Sequence, residues 1–219
     1  MVASRPFGSA GASLSDRTPV GEPGDRFRTA LLDEAEWISQ RLPGCRVEIL
    51  DGEITVTPLP DAAHAEALTD LTLELIRLHD RRTCVVQRVG LWLPGGPSDF
   101  AVPDLSVIDG DYNDHLVAYN CYAPSIFRLA LEVTSHNYGN EHRKTTAYAT
   151  AGIPVYVIAD RGERRVHVLT GPRGGRYRER ATYRPGESFA LPAAVGAPVR
   201  LSADSALGPV WDTRSAGTP

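Results

Sequence analysis

Asp104, Glu132 and Lys144 are charged residues set in or beside apolar segments. Asp104 follows Pro103 and opens the run Leu-Ser-Val-Ile. Glu132 lies near the end of Phe127-Arg-Leu-Ala-Leu-Glu-Val-Thr134, which is apolar apart from Arg128 and that glutamate. An unpaired carboxylate there would be expensive to bury. Lys144 is the only lysine among 23 basic residues; the other 22 are arginine. Arginine replaces lysine at many solvated positions, but not where a compact ammonium must reach a crowded, oriented point. Two carboxylates at one edge repel unless a proton or a divalent ion intervenes. Oxygen ligands select a hard ion, Mg²⁺ or Mn²⁺. A metal-bound water beside an ammonium suits attack on a phosphodiester. Taken singly, each residue has a structural reading: Asp104 as a turn cap, Glu132 paired with an arginine, Lys144 solvated. Their occurrence together at compatible positions favours the chemical one.

Positioning these groups requires particular elements. The spacing predicts a helix over Thr29–Arg41, ended by Pro43-Gly44. Alternating apolar runs flank Asp51-Gly52 and predict an N-terminal hairpin. An amphipathic helix is expected over Asp61–Asp80, and β-like structure over Cys84–Leu93. Asp104–Asp109 and Phe127–Thr134 read as strands, Asn140–Ala151 as a helix, and Pro154–Ala159 as a buried strand, with the helix as a parallel crossover. In such a unit the end of the strand and the first turns of the helix share an edge, so Glu132 and Lys144 converge. Arg164–Thr170 and Arg176–Tyr183 form a C-terminal hairpin. The order describes an α/β fold, a mixed β-sheet flanked by helices.

Some neighbours of these residues are open to two readings. Glu48 is an outer acid or, preferably, a hairpin surface charge. His64, at a helix start, is a general base or, preferably, a first-turn hydrogen-bonding residue. Tyr148, one turn beyond Lys144, is expected to pack beside the lysine stem.

Composition bounds the rest. The 219 residues are 42% hydrophobic and 23% charged, the profile of one globular domain. Residues 1–26 read as a disordered arm, 27–211 as the domain and 212–219 as a loose tail. Apolar runs such as Pro154–Ala159 are too short to cross a bilayer, and Met1–Gly24 lacks a secretory pattern, so a cytoplasmic location is expected. Cys45, Cys84 and Cys121 are widely spaced and read as reduced thiols rather than a zinc site. A net charge of −4 argues against binding nucleic acid by overall field. Between Arg161 and Arg184, however, eight arginines face two glutamates. This segment, with Arg161, Arg164, Arg165, Arg176 and Arg178 as candidate contacts, is a phosphate track or, preferably, the solvated face of a hairpin.

Val102-Pro-Asp-Leu-Ser-Val-Ile108, Leu131-Glu-Val-Thr-Ser135 and Arg143-Lys-Thr-Thr-Ala-Tyr-Ala-Thr-Ala-Gly-Ile-Pro-Val-Tyr156 with Asp160 resemble, in order, the signature of the Uma2 (DUF820) family. The hairpin Val47–Ile54 and the helix opening at His64 match its front half, so the resemblance covers about residues 28–190. It implies a restriction endonuclease-like core of the PD-(D/E)XK superfamily and a Mg²⁺- or Mn²⁺-dependent endonuclease acting on DNA. Asp104 and Glu132 would ligate the metal, the latter with the Val133 carbonyl. The superfamily's usual lysine two residues after that glutamate is replaced by Thr134, and Lys144 matches the family's lysine displaced onto the next helix. The family's aspartate four residues before that lysine is Asn140 here, with Glu141 adjacent. Tyr156 is followed by Val157 where tryptophan is frequent. Superfamily members often dimerise, so a homodimer is among the expectations. Two rivals accompany this reading: a catalytically inactive module that binds nucleic acid or a protein, and an enzyme acting on a small phosphorylated substrate. On the first reading, Lys144→Ala abolishes cleavage and leaves the fold intact.

Overall fold

The computed structural model of the chain describes residues 23–134 and 138–209. Helix α1 (Pro23–Arg41) begins at Pro23, a residue suited to a first helical turn, rather than at Thr29. It takes four residues from the arm expected over 1–26. The remainder of that arm, and the 212–219 tail, lie outside the described residues. Strands β1 (Arg46–Leu50) and β2 (Glu53–Thr57) form the expected hairpin, turning through Asp51 at φ 53° and Gly52 at φ 72°. The Asp99 carboxylate accepts hydrogen bonds from both turn amides, at 3.1 and 3.0 Å.

Helix α2 (Ala62–Leu75) is N-capped by Asp61, which accepts from the His64 amide at 2.7 Å. The run that reads as β-like over Cys84–Leu93 forms two strands, β3 (Thr83–Gln87) and β4 (Gly90–Trp92). It breaks at Arg88, which has a φ of 54°. Then come β5 (Phe100–Ala101), β6 (Leu105–Asp109), β7 (Leu116–Ala118), β8 (Cys121–Tyr122) and β9 (Phe127–Thr134). Helix α3 (Tyr138–Thr150) leads to β10 (Val155–Asp160), β11 (Arg165–Arg173) and β12 (Arg176–Tyr183). A last unit, β13 (Ser188–Leu191), β14 (Val199–Ser202) and α4 (Ala203–Leu207), follows.

The main sheet has the order β12-β11-β10-β9-β6-β3. Only β9 and β10 run parallel, with α3 between them in sequence, and its other pairings are antiparallel. The expected mixed α/β core is therefore present. The N-terminal hairpin belongs to a second sheet, β2-β1-β5-β4-β8-β7, while β13 and β14 pair with each other.

Strand alternation explains how the main sheet holds its polar residues. Leu129, Leu131 and Val133 point into the core shared with α2, α4, β13 and β14. Ala130, and by the same parity Glu132, point to the opposite face, where Tyr148 of α3 and Tyr156 of β10 pack. Leu105 of β6 is registered on Leu131, so positions 104 and 132 are the next facing pair. Arg143 ties α3 to the first hairpin. Its Nε and Nη1 reach Asp51 and Glu53 at 3.1 and 2.9 Å, and its Nη2 donates to the Leu50 carbonyl. This contact brings the helical face carrying Lys144 and Tyr148 against β1.

Candidate active site

At the carboxyl end of β9 the three expected residues meet, together with others that local spacing did not bring forward. Asp104, Glu132 and Lys144 are 5%, 4% and 4% exposed, yet they line a cleft of about 420 Å³. Lys144 Nζ lies 2.8 Å from Glu132 Oε1 and 2.8 Å from Glu48 Oε1. Tyr148, one helical turn on, donates from its hydroxyl to Glu132 Oε1 at 2.9 Å. It does more than pack against the lysine stem. Glu48 is 1% exposed, so it is no surface charge of the hairpin. Its Oε1 also accepts from the Val102 amide at 2.7 Å. Sequence reasoning went astray here because the outward face of an isolated hairpin becomes an inner face once the second sheet packs.

Asp104 is oriented just as firmly. Its Oδ2 accepts from the Val133 amide at 2.9 Å and stands 3.2 Å from His64 Nε2. His64 thus serves the first turn through its backbone and the site through its ring, which the preferred reading did not include.

Arg46 was missed altogether. From β1, two residues before Glu48 and on the same face, its Nη1 reaches Asp104 Oδ1 at 2.7 Å and Glu132 Oε2 at 3.1 Å. Its Nε lies 3.5 Å from Glu48 Oε2, too long for a good hydrogen bond, and is a buried donor without a hydrogen-bond partner among the described residues. The one available signal was its position at the head of a hairpin strand that also carries Glu48.

The electrostatics follow from this packing. Burial alone would lower the Lys144 pKa, but Glu132 and Glu48 outweigh it and raise it, so the ammonium stays charged. Arg46 behaves likewise, with burial opposed by Glu132, Glu48 and Asp104. Burial raises Glu132 above the ordinary carboxylate range against the pull of Lys144 and Arg46. Asp104 also feels burial, yet its contacts with His64, Arg46 and the Val133 amide carry it below that range.

Of the other candidates, Glu141 is half-buried on the cleft wall, and burial raises its carboxyl. Asn140 belongs to α3, but its side chain lies outside the described residues. Asp160 is buried and caps the following turn, accepting from the Glu163 amide at 2.9 Å. The basic segment divides. Arg161 lines the cleft and pairs with Asp61 at 2.9 Å, and Arg165, registered on Asp160, is exposed at the same sheet end. Arg164 donates to the carbonyls of Leu207 and Gly208, ending α4. Arg176 and Arg178 are exposed at the other end of the β11–β12 hairpin, about 20–26 Å from Arg165 at the usual strand rise.

The residues fit a hard cation in one respect. Each carboxylate has one oxygen anchored by protein donors and the other turned toward Arg46: Asp104 Oδ1, Glu132 Oε2 and Glu48 Oε2. All three face a single positive group, and oxygen donors of this kind are the type that suits a hard divalent cation. Among the described residues, no group of three or more acids, histidines or cysteines is arranged to hold an ion.

A mixed sheet with a strand–helix–strand unit carrying paired acids and a lysine at one edge defines a restriction endonuclease-like protein. The sequence profile of the Uma2 family, described as "putative restriction endonuclease", matches residues 35–203, and the chain belongs to that family. Among solved structures, the chain is similar to a protein from Anabaena variabilis ATCC 29413 described as a putative nuclease belonging to DUF820. The two share 16% identity with a TM-score of 0.57, over 74% of this chain and 89% of that one. This likeness bears on the fold. No match was found among curated proteins. Among the described residues, no helix is long and apolar enough to cross a membrane.

Proposed function

We propose that the chain is a divalent-metal-dependent endonuclease that hydrolyses DNA phosphodiester bonds at the Asp104–Glu132–Lys144 edge. The observation that carries this reading is the convergence of outward carboxylate oxygens on one cationic point beside a buried lysine, in an open cleft. Asp104 and Glu132 would hold Mg²⁺ or Mn²⁺, with Glu48 as an outer acid. When bound, the ion lowers the pKa of water and neutralises phosphoryl charge. The protein's own groups do the rest. Lys144 and Tyr148 fix Glu132, and the Val133 amide and His64 fix Asp104. Two donors of Lys144 engage Glu132 and Glu48, and the third would serve a phosphate oxygen. Arg161 on the cleft wall would meet the substrate backbone.

One observation favours the rival, a nuclease fold kept for binding: Arg46 already neutralises the acids. A plasmid-nicking assay separates the two. Nicking that needs Mg²⁺ or Mn²⁺, stops with chelator and is lost in Glu132→Gln is the expected result. DNA binding that chelator leaves unchanged, with no nicking at any metal concentration, would replace the enzyme with the binding module.

A further inference from the structure

Among the described residues, Arg46 is the one cation that all three acids of the site share. The oxygens it holds are those not anchored elsewhere, so the guanidinium stands at the point toward which a metal's ligands are aimed. Its hold is also incomplete, because Nε is a buried donor without a hydrogen-bond partner among the described residues. The side chain has somewhere to go. It lies on the wall between the catalytic cleft and a second cleft of about 450 Å³, bordered by Cys45, Phe100 and Asn120.

We infer that Arg46 and a divalent cation compete for the same carboxylate oxygens of Asp104, Glu132 and Glu48, so that metal enters only as the guanidinium swings out. The inference rests on the metal-dependent reading above. It makes Arg46 a positioning residue that sets metal affinity. Without ion, Arg46 keeps three acids paired and the edge of the sheet closed. With ion, the same residue is returned to the cleft walls as a mobile positive charge.

The test is calorimetric titration of Mn²⁺ into wild type, Arg46→Met and Arg46→Lys, with circular dichroism to establish folding and plasmid nicking on the same samples. Arg46→Met should bind Mn²⁺ at least about tenfold more tightly than wild type, since the ion no longer breaks a charge-assisted hydrogen bond to enter. Arg46→Lys, which keeps the charge but not the fork that spans the acids, should fall between the two. It carries the test alone if Arg46→Met does not fold. Equal or weaker Mn²⁺ affinity in a folded variant overturns the inference, as does absence of binding in every protein. Wild type that nicks DNA while the variants bind no tighter would sink the competition and spare the nuclease. Tighter binding in the variants without nicking by any protein would do the reverse.

Discussion

Replacing Lys144 by methionine removes one ammonium and leaves the side-chain stem nearly intact. Two carboxylates then lose a partner, since Nζ lies 2.8 Å from both Glu48 and Glu132, which are 1% and 4% exposed. Removing one member of a buried ionic cluster costs about 3–5 kcal/mol, against less than about 1 kcal/mol for an exposed pair. In a chain of this size each kcal/mol lowers the melting temperature by about 2–4 °C, so a fall of about 6–20 °C is expected. Urea unfolding of wild type and Lys144→Met at neutral pH measures the difference directly. Adding Glu48→Gln should recover part of the loss, because one of the two stranded charges is gone and residues sharing a network couple by about 0.5–3 kcal/mol. Nicking should be absent in both. The expectation that removal of this lysine spares the fold is thereby revised: its burial makes the catalytic candidate a structural one as well. A Lys144→Met protein within about 0.5 kcal/mol of wild type would refute the described network, whatever its activity.

Other outcomes follow from the same geometry. Tyr148→Phe deletes one hydrogen bond to Glu132 and should cost about 0.5–1.5 kcal/mol in urea melts, with nicking reduced rather than lost. Asp99→Ala strips the carboxylate from the Asp51 and Gly52 amides and should destabilise by about 1–3 kcal/mol without touching metal binding; an unchanged melt would show that the turn holds itself. Burial pushes the Cys121 thiol up to about 12, so very little of it is thiolate at pH 8. Because the thiolate is the reactive form, alkylation of the folded protein should mark Cys45 and Cys84 first, and Cys121 should react faster as pH rises toward 12. Peptide mapping after iodoacetamide at pH 8 and pH 10 checks it.

Much of the architecture was legible because local pattern and final structure agreed. The Asp51-Gly52 hairpin, the apolar strand β9, the helix after it and the parallel return of β10 were all readable from periodicity and turn chemistry. The division of Cys84–Leu93 at Arg88 was not, since nothing in an alternating run marks a non-glycine residue at positive φ. The last unit, β13, β14 and α4, was not assigned from sequence. Its strands are short and pair only with each other, so they carry little periodic signal.

The sequence by itself determined which residues are out of place: an acid inside an apolar strand, a lone lysine in an arginine-rich chain, an aspartate at the mouth of a strand. Their positions along one strand–helix unit were enough to bring Glu132 and Lys144 together, twelve residues apart. Tertiary structure alone decided what faces them. Arg46 lies 58 and 86 residues from Asp104 and Glu132, on a different sheet, and Glu48 is buried where that sheet packs against α3. Local spacing determines which way a side chain points from its own element. Which charge it meets there depends on how the sheets close over it.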